Sequence, residues 1–383
     1  MIYWIILSIV VTCIYVYDIN NTKKFKTLFY YLILLLSILV SGLAYRLGTD
    51  SIRYQYEFEH QIVKIGDISC DYLLSFRAQP GYVILCTICK TICESFYFFK
   101  IIYALLINVV IFRTIKMHTN YLFSGILLYL VVLFPYFNFE IFRESLAICV
   151  FLLSLPFFYN KEWMRYYLMM FFALLFHLSA LVLIFLPLIS KFNINKRSIC
   201  FVFIVTILVF LLSDKFLSIA NTLLSYSALL QDNYLSYLNN DNYANSIFSI
   251  SRVFNYFFNI WLPLIMIYIF NKKGAKGIHY SIIIVFILVY SLTQCIPILY
   301  RFNNYFKLFM LLFNINIIYF VSRYFLQKRV CYVFLLTIYL LFSSRSYLSK
   351  IDETGVSSYS RYYPYSSIID KKTDSQRELL FIY

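Results

Sequence analysis

Uninterrupted apolar runs constrain this chain more than any other feature. "LFSGILLYLVVLFPYFNF" (122–139), "SICFVFIVTILVFLLS" (198–213) and "YSIIIVFILVYSL" (280–292) are of the kind that fills a bilayer core, which takes about 20 mainly apolar residues per helix. The runs are continuous rather than alternating, which argues against a transmembrane barrel. Only 13% of the 383 residues are charged and 62% are hydrophobic, whereas a soluble domain carries about 25% charge. The expected class is therefore all-α and polytopic. The first run starts at Met1 without a basic leader or a small-residue cleavage site, so it reads as a retained helix rather than a signal peptide.

The net charge of +15 would suit a polyanion-binding surface, but its distribution argues otherwise. Apolar segments fall near 2–18, 27–45, 79–93, 96–112, 120–137, 143–158, 165–190, 198–213, 250–270, 278–297, 303–322 and 330–343. One alternating set of connections holds Lys23, Lys24, Lys26, Arg113, Lys116, Lys161, Arg165, Lys191, Lys196, Arg197, Lys272, Lys273, Lys276, Arg323, Lys328 and Arg329 against only Asp18 and Glu162. The other set (46–78, 136–144, 214–252, 298–304 and the tail from 344) has 14 basic and 15 acidic residues. Basic excess marks cytoplasmic loops, so the imbalance is a topology signal and the second set is expected outside.

Parity then requires that only one of 79–93 and 96–112 crosses. The first begins "QPGY" and carries Lys90, so it is read as an interfacial or partly inserted helix. Segment 165–190 joins two basic loops and is expected to cross twice, as a hairpin with its tip near "FHLS" (176–179). The sum is roughly twelve transmembrane helices with both termini outside. They form one helical domain over 1–343, with long extracytoplasmic loops at 46–78 and 214–248 and a polar tail at 344–383 that is placed to cap the outer face.

The candidates for chemistry are charges at the outer ends of helices. Charged groups in a bilayer usually face a cavity or a partner. Arg46, Arg53, Arg143, Arg252 and Arg301 fall at one membrane level, and guanidinium groups bind phosphate oxygens in bidentate fashion. They would suit a lipid-linked diphosphate; each alone also reads as an arginine reaching toward headgroups. Asp50, in "RLGTD", is placed to deprotonate an attacking hydroxyl, to orient an arginine, or simply to form a local turn. His177 lies inside an apolar run and is a candidate acid–base group, Ser179 being too close along a helix to be its obvious partner. His60, His118 and His279 read as solvated.

Cys86, Cys89 and Cys93 line one helical face. A fourth ligand is missing, and they read as small apolar residues rather than a metal site. Aromatics are 21% of the chain, and "YLSYLNNDNY" fits either a membrane interface or sugar stacking. No phosphate-cradling glycine loop, H-E-x-x-H or paired acidic motif of a nucleotide-sugar enzyme is present, so no nucleotide, metal or other cofactor is expected.

In order along the chain, "YRLGTDSIRYQYEFE", "QPGYVIL", "FNFEIFRESLAICVFLLSLPFF", "ALLFHLSALVLIFLPL" and "LYRFNNYF" resemble the EpsG/Wzy-type family of bacterial surface-polysaccharide polymerases. The family serves O-antigen, capsule and exopolysaccharide synthesis. The resemblance implies a fold like that of GT-C-type membrane glycosyltransferases. It also implies transfer of a growing glycan from undecaprenyl diphosphate to a new lipid-linked repeat unit at the outer face of the cytoplasmic membrane. Arg46, Asp50, Arg143, His177 and Arg301 carry over by motif position, whereas Arg53 and Arg252 rest on the topology argument alone. One departure is Arg143-Glu144, where the family pattern has arginine followed by glutamine. A chain-length regulator and a flippase are the implied partners. A lipid-linked oligosaccharide flippase and a sugar acyltransferase using His177 are the competing functions. The topology is testable directly: a cysteine at position 178 should label from outside, and one in 191–197 only from the cytoplasm. The reverse pattern would overturn the hairpin.

Overall fold

A computed structural model describes residues 2–76, 79–190, 194–213, 215–216, 218, 250–272, 280–296, 299–348, 350–351 and 356–378. Most of the expected outer loop 214–248 lies outside these residues, as do Lys191, Lys273, Lys276 and His279. Among the described residues, regular structure is helical apart from a two-residue antiparallel pair, Lys350–Ile351 with Val356–Ser357. The chain divides into two compact units, Met1–Ala180 with Ile315–Tyr383, and Leu181–Asn314.

The first unit begins with α1 (Ile2–Ile19) and α2 (Lys26–Gly42), followed by the short α3 (Ser51–Tyr56), α4 (Cys70–Ser75) and α5 (Pro80–Ile92). Then come α6 (Phe96–His118), α7 (Leu122–Phe139), α8 (Phe142–Tyr159) and α9 (Trp163–Phe176). The second unit holds the 3₁₀ segment Leu178–Phe185 in large part, then α10 (Leu186–Ser190) and α11 (Lys196–Leu211). It continues with α12 (Ile250–Tyr256, extended by Phe257–Trp261 and Leu262–Lys272) and α13 (Tyr280–Thr293). Helix α14 (Tyr300–Ser322) leads back into the first unit, which ends with α15 (Lys328–Ser344) and α16 (Ser375–Glu378).

Among the described residues, six helices are long and apolar enough to cross a membrane: α1, α6, α7, α8, Val253–Lys272 within α12, and α14. Five further apolar helices are shorter, Lys26–Gly42, Pro80–Ile92, Trp163–Phe176, Leu178–Leu188 and Tyr280–Thr293. At 13 residues, α5 is about 20 Å long, well short of a bilayer core. Pro80 starts it, where a missing N–H does no harm. Gly81 lets it approach α9: a Cβ there would stand 2.8 Å from the Leu175 carbonyl oxygen. Cys86 and Cys89 are buried along its inner face.

Two helices carry the same irregularity for the same reason. A π-helical turn at Tyr129–Leu133 precedes Phe134-Pro135, and another at Phe257–Trp261 precedes Leu262-Pro263. Proline cannot donate to the carbonyl four residues back, and the wider turn accommodates the break. In the first case the turn presents Tyr129 to a buried polar cluster. Its hydroxyl donates to Asn108 Oδ1 (2.9 Å), Asn108 Nδ2 donates to Asn138 Oδ1 (2.8 Å), and Asn138 Nδ2 donates back to Tyr129 (3.0 Å). Asn108 also reaches Ser41 on α2 at 3.3 Å. Such contacts tie α2, α6 and α7 together where apolar contact alone gives little preference over lipid.

Between α2 and α5, residues 43–50 lack regular helix and residues 51–61 form the short α3 with its π-helical extension, so carbonyls before α3 and at its C-terminal end need donors. Lysines supply them. Lys100, fully buried on α6, donates to the Ala44 carbonyl at 2.6 Å. Lys90, on α5, donates to the carbonyls of Phe58 (2.7 Å), Glu59 (2.9 Å) and Ile62 (2.8 Å), which close the π-helical turn Glu57–Gln61 that extends α3. A cation at a helix C-terminus satisfies orphan carbonyls and opposes the helix dipole. Lys90→Met should therefore loosen this turn by about 1.5–3 kcal/mol, the scale of a charged hydrogen bond. Hydrogen exchange of amides 54–62 should accelerate about tenfold or more; unchanged protection would refute the capping role.

Candidate functional site

The stretch "RLGTD" adopts a shape that its sequence makes possible only in part. Arg46 has φ +49°, tolerated but unusual for a residue with a side chain, and Gly48 has φ +81°. A Cβ on Gly48 would lie 2.3 Å from the Phe139 carbonyl oxygen, so glycine is required both by conformation and by contact. This approach sets the loop against the break between α7 and α8, which carries Glu140.

The C-terminal tail completes the arrangement. Ile368 N donates to Leu43 O, Tyr45 N to Ser366 O, and Gly48 N to Arg361 O, each at 2.9 Å, so residues 43–48 are held along the tail by backbone bonds. The tail is itself closed by Arg377, 1% exposed, which donates through Nε to Ser360 O (3.1 Å) and through Nη2 to Pro364 O.

Glu140, 5% exposed, is where loop, helix break and tail meet. Its Oε1 accepts from the Tyr362 hydroxyl (2.9 Å); its Oε2 accepts from Thr49 Oγ1 (3.4 Å) and faces Arg361 Nη1 at 3.5 Å. Burial pushes the Glu140 carboxyl above its ordinary range; Arg361 and the Tyr362 hydroxyl act against this, and the charge of Asp50 adds to it. Burial, with Glu140 beside it, also keeps the Tyr362 phenol well above its ordinary value, so it remains a donor.

A second cluster lies at the start of α8. The Tyr54 ring stacks on Phe142 at 4.6 Å, and Phe142 on Tyr103 at 4.4 Å. The half-buried Arg143 guanidinium lies 5.6 Å from the Tyr54 ring centre and 6.0 Å from that of Tyr82. No carboxylate pairs with it among the described residues; Glu57, the nearest influence of that kind, gives one oxygen to Arg53. Burial raises the Tyr54 phenol, Arg143 lowers it and Asp50 raises it. Asp50, exposed at the head of α3, is thus felt by both clusters.

The remaining candidates divide. Arg46 makes a bidentate pair with Glu378, at 3.0 Å and 2.5 Å, and so anchors the tail. Arg53 is exposed and pairs with Glu57 at 2.9 Å, one helical turn on. His177 caps the end of α9 with extended backbone, and its Nδ1 lies 2.6 Å from Ser179 Oγ. The expectation that Ser179 is too close to be its partner fails because the helix ends there and the chain turns back on itself. Since Gly81 abuts Leu175 and Tyr82 abuts Arg143, the His177 turn lies near the N-terminus of α5, on the Arg143 side of the unit.

His118, expected to be solvated, is the last residue of α6. It is half-buried, with Nδ1 at 2.8 Å from Thr114 O and Nε2 at 3.2 Å from the Tyr159 hydroxyl. His60 is exposed. Arg301 is exposed in the first turn of α14, in the second unit. Arg252 belongs to α12, and its side chain lies outside the described residues. Among the described residues, no three His, Cys, Asp or Glu side chains come together to hold a metal ion. Arg361, Tyr362, Arg377 and Glu378 carry no periodic or motif signal; only the charge-mixed character of the tail pointed to them.

The raised Glu140 carboxyl has a consequence for stability. It binds its proton more tightly in the folded chain, so its contribution is fully present below its ordinary value of 4.5 and is lost as pH rises through the folded value. Glu140→Gln should flatten this dependence: between pH 4.5 and 7 the thermal midpoint of the variant should fall less than that of the wild type. Parallel curves would refute the assignment.

A family model described as the EpsG family matches residues 26–367, most of the chain, with Arg377 and Glu378 beyond the match. No curated protein and no solved structure matches. With the helical architecture and the matched span taken together, the chain belongs to the EpsG family, a family of Wzy-type polymerases.

Proposed function

We propose that this chain is a membrane glycosyltransferase that polymerises lipid-linked oligosaccharide repeat units of a bacterial surface polysaccharide, whether O-antigen, capsule or exopolysaccharide. The growing glycan is transferred from undecaprenyl diphosphate to a new lipid-linked unit at the outer face of the cytoplasmic membrane. The observation that carries this reading is Arg143: a half-buried guanidinium near two tyrosine rings, with no carboxylate partner among the described residues, over Tyr54, whose backbone N bonds the carbonyl of the exposed Asp50. A positive charge left without its own counterion is prepared for an anionic ligand, and a diphosphate presents the planar oxygen pairs that guanidinium donors fit.

In the proposed reaction, the hydroxyl of the incoming unit attacks the anomeric carbon of the growing chain. The bond from that carbon to the diphosphate oxygen breaks, and the lipid diphosphate leaves with the electron pair. Arg143 stabilises the charge that develops on it. Asp50 accepts the hydroxyl proton; His177 is the alternative proton acceptor. Arg46, Arg53, Arg252 and Arg301 are proposed diphosphate contacts. For Arg46 and Arg53 this requires that the ligand compete with Glu378 and Glu57.

The proposal includes roughly twelve crossings in one helical domain over residues 1–343, with the tail 344–383 at the outer face, in a GT-C-like arrangement. Six described helices are of crossing length; the further crossings are part of the proposal. Working partners are a flippase that delivers the units and a chain-length regulator.

The test is a complementation assay read on a polysaccharide gel, with membrane levels of each variant matched. Arg143→Ala should leave single repeat units on the acceptor, and Arg143→Lys should restore little, because an ammonium lacks the planar fork. Full-length polymer from Arg143→Ala would sink the diphosphate role. Loss of all export would point instead to a flippase, and polymer of normal length lacking an acyl group to an acyltransferase.

A further inference from the structure

Of the two guanidinium groups that tie the tail to the loop, one is spoken for and the other is not. Arg46 spends its fork on Glu378, with both carboxylate oxygens engaged. Arg361 is held differently. Its backbone is fixed, because its carbonyl accepts from Gly48 N at 2.9 Å. Its guanidinium touches Glu140 Oε2 only through Nη1 and only at 3.5 Å, beyond the roughly 2.7–2.9 Å of a charge-assisted hydrogen bond. Its Nε is buried and has no hydrogen-bond partner among the described residues. The side chain is 32% exposed, so part of the group faces outward. A buried donor without a partner is costly, and in a native structure it calls for an explanation such as a bound ligand.

The position of that group gives it a ligand. Thr49, next to Asp50 in the chain, donates to Glu140, which Arg361 faces. Tyr54, whose N bonds the Asp50 carbonyl at 3.0 Å, sets its ring 5.6 Å from the Arg143 guanidinium. The segment around Asp50 thus touches, at its two ends, the partners of two incompletely matched guanidinium groups, Arg361 from the tail and Arg143 from α8.

We infer that Arg361 is a second anion-binding residue of the site, carried in by the C-terminal tail to hold the diphosphate of a lipid-linked sugar together with Arg143. This rests on the reading of the site given above and adds to it that the tail forms part of the binding surface. Glu140, with Tyr362 and Thr49, sets the position of the Arg361 fork. Arg377 and the Arg46–Glu378 pair keep the tail closed behind it.

The experiment measures binding of farnesyl diphosphate to the purified full-length protein in nanodiscs, and polymer formation in cells, for Arg143→Ala, Arg361→Ala, Arg361→Lys, Glu140→Gln and Glu140→Gln/Arg361→Ala. Arg361→Ala should weaken binding about tenfold or more, with Arg361→Lys between it and the wild type, and should shorten the polymer while the protein stays at its normal membrane level. If Arg361 served only to neutralise Glu140, removing that charge would make it dispensable, and the double variant would bind as Glu140→Gln does. Weak binding by the double variant supports the inference; binding at the Glu140→Gln level overturns it. Normal binding by Arg361→Ala with impaired binding by Arg143→Ala overturns the inference and leaves the diphosphate site standing. Normal binding by both variants overturns the diphosphate reading itself.

Discussion

Irregular backbone near a membrane is tolerable only where its polar groups find partners within the protein. The irregular residues 43–50 and the end of the short helix that follows them obey this constraint, and the candidate site depends on how they do so. Lys100 donates to the carbonyl of Ala44 at one end, and Lys90 donates to three carbonyls at the other. Between them, the tail supplies backbone partners to Leu43, Tyr45 and Gly48. Without these donors and acceptors the loop would have to continue as helix or move out into solvent. In neither case would Asp50 stand beside Glu140 and Tyr54.

The tail does not hold to the loop mainly through charge. The Arg46–Glu378 pair is about one-third exposed at each end, and such pairs typically contribute about 0–1 kcal/mol. More of the fixation comes from the backbone bonds and from Arg377, whose buried fork closes the tail on itself. The exposed pair is thus the part of the assembly that a competing anion could most readily displace, while the scaffold beneath it stays in place.

Much of the helical framework was legible in the sequence. The apolar segment expected near 120–137 is α7, Leu122–Phe139, because no charged residue interrupts its run until Glu140 follows. A break near 176–179 was legible too, from the basic loops on both sides of a run long for one helix and short for two, and α9 does end at Phe176. The pairing of His177 with Ser179 was not, because a two-residue spacing is non-contacting in a helix and becomes contacting only once the helix ends. The irregular turns before Pro135 and Pro263 follow from proline chemistry and repeat at the same spacing, yet apolar periodicity is blind to them.

The least legible part was the tail. Arg46 and Glu378 are separated by 332 residues, Tyr362 and Glu140 by 222. No local pattern links such pairs. What could be read was a conflict: Glu140 and Glu144 flank Arg143 at a helix start, giving more carboxylates than nearby cations. A carboxylate placed in a low-dielectric setting needs hydrogen bonds or a counterion from elsewhere. The tail answers for Glu140 with Tyr362 and, at longer range, Arg361. Because those partners take up Glu140, they do not leave Arg143 to do it. The guanidinium is thereby kept clear of a counterion from the glutamate three residues before it, and its charge stays available over the rings of Tyr54 and Tyr82.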